Sequence, residues 1–530
     1  MRVGRAATFV RAHVVDAILG AITTAFGAVT LSYPFARDHG LFFYGAREWM
    51  LRGQVLYRDI LDHKPPFIYW IYMLAIALFG QNAWGIRLLE LVVAVPAMAW
   101  VAARLATPRG SAIPPGVLGA AWLGAGVADF GYLTYWDGAQ CEIWYTLFAT
   151  GGLAAVLHAR REWVGCAVAG ALSAAAFWTK PPCLPFVAIT VGAIVAQALR
   201  QPDGRVRAAL LRLGAFALAG IVVSAGVLGY FASTHALSQM GDLLIGVNSV
   251  QVRSGPGVHD FGDLVFETNK FFRDYEPVSG VLLAVATLSV ARGFAARDGA
   301  GARRYLLAAL LALAAWASVA MQRKFYLYHR ATIIAAVAVA FAVLYREWEL
   351  LLSARRERWV APASFAAFVG VLFLLSADPS ARWYGDVSVA LRWKSGAIGR
   401  EEFTRRYDVP EFYAYHDAEL AGLWLRAHAP PDDTVVVRGF EPEIYEISGL
   451  HYTGRFCWSS FLTESWRAYR LAEWRDEDLA ALRARPPHYA VALDRGLGDA
   501  ESPAFFQRLG YVERARFGVY VVLERGSSGT

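Results

Sequence analysis

Long apolar runs separated by short arginine-bearing turns leave this chain little choice of fold. The runs fall at 13–33, 83–103, 112–128, 141–158, 163–179, 183–199, 209–231, 278–291, 304–320, 331–345 and 359–376. At about 1.5 Å per residue, most cover a large part of a hydrocarbon core of about 30 Å. With 56% hydrophobic and 18% charged residues among 530, neither an ordinary soluble domain nor a disordered chain fits. The expectation is a polytopic α-helical membrane protein of about eleven transmembrane helices. The 18 Trp, 24 Tyr and 31 Phe suit aromatic belts at the interfaces. A formal charge of +7 would also suit nucleic acid, but the surplus arginine sits in turns between apolar runs, where it sets membrane orientation; no nucleic-acid partner is expected.

The run Phe67 to Phe79 covers only about 20 Å and is predicted to lie along the outer surface as an amphipathic or re-entrant helix. Arginine placement tests this. With 67–79 non-spanning and the N-terminus cytoplasmic, the inner side receives Arg2, Arg5 and Arg11, then Arg104 and Arg109, then Arg160 and Arg161. It also receives the arginines of 200–212, 292–304 and 346–358, so each arginine-rich turn lands on one side. If 67–79 spanned, every later cluster would flip outward. The non-spanning topology places 34–82, 129–140, 232–277 and 321–330 outside a plasma (inner) membrane, together with everything after Ala377. The segment from about Val14 to Leu31 has no convincing cleavage site and reads as a retained anchor.

Two domains follow from this reading, a transmembrane domain over 1–376 and an external domain over 377–530. The second has mixed charge and strand-like runs at Thr434–Arg438, His488–Leu493 and Val519–Leu523, preceded by a helical stretch over Pro410–His428. It is predicted to be a small α/β domain. Cys141, Cys166, Cys183 and Cys457 give no disulfide framework and are expected as small buried hydrophobes.

Ionisable residues concentrate between Ser32 and Arg87, next to membrane-embedded segments where charge is costly, which marks a candidate site. The ordered pattern is an acidic residue (Asp38) just past the first helix, a Gly53-Gln54-x-x-Tyr57-x-Asp59 turn, then Asp62-His63-Lys64-Pro65-Pro66 and a short aromatic helix. It resembles the first external loop of GT-C glycosyltransferases, above all the protein O-mannosyltransferases and the lipid A aminoarabinose transferases. The resemblance implies a GT-C type fold. It further implies inverting transfer of a sugar from a polyprenyl-phosphate donor to the hydroxyl of a protein, lipid or glycan acceptor, at the outer face of the membrane.

By the same resemblance Asp38 is the catalytic base. The residue alone also suits the first turn of a helix over 40–52, and the two roles are compatible. Lys64 offers a compact positive charge to the donor phosphate. The position before this lysine is acidic in the aminoarabinose transferases and helps to bind a divalent metal. Here it is His63, with Asp62 before it, a pair suited to zinc or manganese more than to magnesium. His259 loosely resembles a metal-binding histidine of those enzymes, and Glu142 resembles an acidic position of the second external loop.

Further candidates come from the residues themselves. Asp137 shares the second loop with Glu142, whose place at a helix start is also explained by the helix dipole. Lys180, before Pro181-Pro182, is accounted for by snorkelling to the interface. Gly255-Pro256-Gly257 would let the 232–277 region move over a site. The run Gln322 to Arg330 is basic although external and is interleaved with aromatics. Arg323, Lys324, His329 and Arg330 are therefore candidate donor-phosphate ligands, with an interfacial belt as the alternative. Arg87 and Glu90 are expected as a structural ion pair. The rival function is a transporter or flippase for lipid-linked sugars. The absence of a visible repeat and the gathering of ionisable residues at one surface speak against it.

Overall fold

The computed structural model describes residues 2–201, 203–254, 257–282, 284–285, 299–352, 359–409, 413–463, 469–494 and 498–526, with backbone alone for 2–12 and 299–305. Half of the expected span 278–291 lies outside these residues, as do Arg292, Arg297, Arg355, Arg356, Arg358, Gly255 and Pro256.

Each of the other expected apolar runs is a helix. Among the described residues five helical stretches are long and apolar enough to cross a membrane: His13–Ser32, Trp84–Leu105, Pro181–Ala198, Arg205–Ser233 and Leu327–Leu352. A sixth arises if the pair Val360–Leu375 and Ala377–Lys394, bent by 97°, counts as one span. Phe67–Phe79, Val117–Gly131 and Leu306–Met321 are shorter apolar helices. The chain is a multi-pass membrane protein.

Phe67–Phe79 begins where Pro65-Pro66 forbid an earlier helical turn, and it stops at Gly80. It buries Ile68, Tyr69, Ile71, Tyr72, Ala75 and Ile76 along one stripe. The opposite face is not polar, as amphipathicity would require: Leu74, Ala77 and Leu78 are the residues exposed there. The helix is apolar all round, which suits contact with lipid.

The chain forms two compact units. The first comprises 1–32, 87–226 and 257–387 and is helical. Its centre is the helix Ile334–Leu352, which is buried from Ile334 to Val343. The second comprises 33–86, 227–256 and 388–530, so the segment between the first two apolar runs and the C-terminal residues belong to one unit. Its sheet holds β1 (Val435–Val437), β2 (Tyr489–Leu493), β3 (Tyr511–Phe517) and β4 (Tyr520–Arg525) in the order β1-β2-β4-β3. β1 and β2 are parallel, and the other pairs are antiparallel. The central strands β2 and β4 are apolar and mostly buried; of the two edge strands, β1 is buried, whereas β3 bears Glu513, Arg514 and Arg516 outward. The expected helix over Pro410–His428 is Tyr415–His428, residues 410–412 lying outside the described residues.

Candidate active site

In the second unit the helix Arg37–Arg52 starts at Ala36, whose N–H donates to His39 Nδ1 at 3.3 Å. Asp38 is half-buried in the first turn of this helix. There the helix dipole favours its negative charge, but it is not the N-cap residue. Its neighbour Arg37 pairs with Glu441 at 2.6 Å and lies 4.8 Å from the Tyr413 ring centre. Gly40 is required by close approach, because a Cβ there would sit 2.7 Å from the backbone nitrogen of Glu443. Further along, Arg47 donates to the Tyr445 and Leu450 carbonyls at 3.0 and 2.6 Å, and Tyr44 Oη accepts from the Tyr452 N–H at 3.1 Å. The Asp38 helix is thereby stapled along its length to residues 441–452.

The acids beneath it are perturbed. Burial, together with the charge of Glu441, pushes Glu443 up to about 8, despite the 2.6 Å hydrogen bond it accepts from Tyr413 Oη. Burial also raises Glu441, with Arg37 opposing the shift.

The turn after the helix is closed by Asp59, whose carboxylate accepts the Val55 N–H at 2.7 Å, with Tyr57 at a φ of 73°. Leu61 is then fixed from both sides: its N–H donates to Arg455 O at 2.9 Å, and its carbonyl accepts Trp458 Nε1 at 2.8 Å. Asp62 is fully buried. Burial alone would raise its pKa, but the hydrogen bond and charge of His63, the charge of Lys64 and the hydroxyl of Tyr69 outweigh that and lower it. Asp62 is therefore an ionised anchor. His63 lies over Trp458 with ring centres 6.2 Å apart, and its carbonyl accepts from Asn248 at 3.1 Å. Lys64 is half-buried, and its carbonyl accepts the Tyr57 hydroxyl at 2.8 Å.

The two oxygens of Asp62 are taken by the His63 N–H and the Tyr69 hydroxyl. With His63 the site offers two donor residues in this unit; His259 belongs to the other unit and is exposed, its N–H donating to Asp263. No group of three or more His, Cys, Asp or Glu side chains is gathered for a metal ion among the described residues. The Asp62–His63 pair by itself does not fit a metal centre, which needs more protein ligands than two engaged ones.

The first unit carries its own polar cluster. Glu142 is fully buried in the first turn of Cys141–His158 and pairs with Lys180 at 2.5 Å, while Lys180 sits 5.1 Å from the Tyr328 ring centre. Lys180 is thus buried rather than snorkelling to an interface. Asp137 accepts from both the N–H and the hydroxyl of Thr134. Burial raises its pKa, against those bonds and the charges of Arg382 and Arg330. In the basic run, Lys324, His329 and Arg330 are buried and Arg323 is half-buried. His329 bonds to the Lys324 carbonyl, and Arg330 pairs with Asp274. Arg323 has a φ of 55° and exchanges bonds with Val258, its Nε donating to Val258 O at 2.9 Å. Gly257, at a φ of 147°, is needed here because a Cβ would run into Arg323 O.

Arg87 and Glu90 are 3.9 Å apart and both buried, as an ion pair should be, and they also hold the Tyr135 carbonyl and the Ala139 N–H. Two groups escaped the sequence reading. Asp129 is buried in a π-helical turn over Val127–Gly131, and neither of its carboxylate oxygens has a hydrogen-bond partner among the described residues. An acid at the end of an apolar run was its signal. The Arg37–Glu441–Glu443 cluster had a fainter one, two acids inside the apolar stretch Phe440–Tyr445.

This arrangement of apolar helices with a small mixed α/β region is a GT-C type fold. No family model matches the sequence, and no curated protein is similar to it in sequence. Solved structures are similar. The crystal structure of ArnT from Cupriavidus metallidurans bound to undecaprenyl phosphate superposes with a TM-score of 0.58 at 14% identity, covering 97% of this chain and 98% of that one. The apo structure of the same protein gives 0.57 at 13% identity, with the same coverage. At such identity the likeness defines the fold.

Proposed function

We propose that this protein is an inverting membrane glycosyltransferase that moves a sugar from a polyprenyl-phosphate donor to an acceptor hydroxyl at the outer face of the membrane. The observation that carries the reading is the fold shared over 97% of the chain with a protein crystallised with undecaprenyl phosphate. The first-loop residues Asp38 and Lys64, in one folded unit, supply the chemistry such a donor needs.

In this reading the Asp38 carboxylate takes the proton of the acceptor hydroxyl as that oxygen attacks the anomeric carbon. The new carbon–oxygen bond forms as the bond from the anomeric carbon to the phosphate oxygen breaks, with inversion, and the electron pair leaves on polyprenyl phosphate. A phosphate leaving group needs no proton from an acid, so one carboxylate suffices. Lys64 neutralises the charge that develops on the phosphate. Asp62, ionised and buried, holds the backbone before Lys64 as a positioning residue. Arg323, Lys324, His329 and Arg330 of the other unit remain candidate phosphate ligands, to be tested by their own substitutions. No step runs through a metal ion.

Asp38→Asn tests the scheme. It preserves shape and most hydrogen bonding but removes the proton acceptor, so turnover should fall about 10²–10⁴-fold while donor binding persists. Near wild-type turnover of Asp38→Asn, with loss on Asp137→Asn or Glu142→Gln, would move the base to the second external loop.

A further inference from the structure

The first unit has a cavity of about 610 Å³ lined by Trp100, Val101, Leu147, Phe148, Gly151 and Leu172, with Arg104 and His158 at one end. It opens sideways between the helices ending at Leu105 and His158 and the helix Glu162–Thr179, since Trp100 and Val168 on its rim are 53% and 43% exposed. Exposed apolar side chains around a groove in a membrane helix bundle face lipid chains, so the groove accepts hydrocarbon at no desolvation cost.

The polar end is unusual. Arg104 donates to His158 Nδ1 at 2.9 Å, an acceptor that carries no negative charge. Arg104 also donates to Ser111 O and Arg109 donates to Ala159 O, both at 2.9 Å, so both arginines are oriented by backbone carbonyls and their charge is not cancelled there. Glu162 is shared: it pairs with Arg212 and lies 3.5 Å from Arg109. Two arginines share that carboxylate, and Arg104 bonds to an imidazole and a carbonyl, so the surplus is positive. This end of the Cys141–His158 helix is about 24 Å from Glu142, at the opposite membrane face from the Glu142–Lys180 pair. It is the side that arginine placement assigns to the cytoplasm.

We infer that this groove is a binding site for one anionic phospholipid, an acyl chain lying along Leu147, Gly151 and Leu172 and the phosphate meeting Arg104 and Arg109. Basic pockets between membrane helices recognise anionic headgroups in this way, and an apolar groove ending in a cation surplus matches both parts of such a lipid. Gly151 keeps the groove open: a Cβ there would meet only Leu172 Cδ1, at 3.5 Å, so a larger side chain enters the groove without displacing backbone.

Native mass spectrometry of the detergent-purified, delipidated full chain, titrated with phosphatidylglycerol or phosphatidylcholine, tests the assignment. The wild type should hold one phosphatidylglycerol in preference to phosphatidylcholine. Arg104→Gln and Arg109→Gln should each weaken retention about fivefold. Gly151→Leu, which leaves both arginines in place, should abolish it, and Arg160→Gln with Arg161→Gln, two exposed arginines, should not change it. Equal retention of the two lipids, undiminished retention in Gly151→Leu, or preferential capture of undecaprenyl phosphate over phosphatidylglycerol would overturn the proposal.

Discussion

At the scale of single residues, the first loop divides its ionisable side chains between structure and chemistry. Asp62 and Asp59 spend their oxygens on neighbouring backbone and hydroxyl groups, and Arg58 is committed to Asp59 at 2.7 Å and to Thr234 O at 2.9 Å. Asp38 and Lys64 are half-buried, as Arg58 and Asp59 are, and so are reachable from outside the fold while their backbone is ordered. A lysine near a phosphate gives one charge-assisted contact, worth about 1.5–3 kcal/mol, or roughly ten- to a hundredfold in affinity. Lys64→Ala should therefore weaken donor binding by that factor with little change in melting temperature. Donor titration of the purified variant reads this directly, and unchanged affinity would make Lys64 an interfacial residue. The candidates Asp38 and Lys64 were legible because their spacing is local and follows the chain. The partners that fix them were not, since Glu441, Arg455 and Trp458 lie some four hundred residues away in sequence.

At the scale of elements, the helix Arg37–Arg52 and the segment 441–452 act as one piece. Gly40 packs against the Glu443 backbone with no room for a methyl group, so Gly40→Ala must push the helix start, and Asp38 with it, away from that segment. Overpacking of this kind costs about 1–3 kcal/mol. The expected result is a lower melting temperature together with a lower turnover. Retained turnover would uncouple Asp38 from its support.

Glu443 adds a pH dependence. Its folded-state pKa of about 8 lies above its ordinary 4.5, so the native state holds the proton more tightly than the unfolded chain. The resulting contribution to stability is present in full below about 4.5, declines as pH rises, and is gone above about 8. Glu443→Gln removes this titration. The variant's melting temperature relative to wild type should rise steadily between pH 5 and pH 8, and a pH-independent difference would contradict the assignment. Element prediction succeeded where period and composition speak, in the apolar helices and in the strands at 435–437 and 489–493. β3 was missed because an edge strand of alternating charge has the composition of a loop.

At the scale of the whole molecule, the fold agrees with the class that the first loop suggested, and Phe67–Phe79 is a helix as short as its apolar run. What the sequence concealed is the make-up of the second unit, which draws 33–86 and 227–256 together with the C-terminal sheet. Nothing in the order of the chain announces this, because the contacts that build it join residues far apart in sequence. The central claim is sugar transfer from a lipid-linked phosphate. Its most direct test is to mix the purified, reconstituted protein with polyprenyl-phosphate sugar and an acceptor extract, and to follow free polyprenyl phosphate. The expected result is release of polyprenyl phosphate matched by labelled sugar in the acceptor fraction, lost in Asp38→Asn. Movement of intact polyprenyl-phosphate sugar across the membrane without release would contradict it and identify a flippase instead.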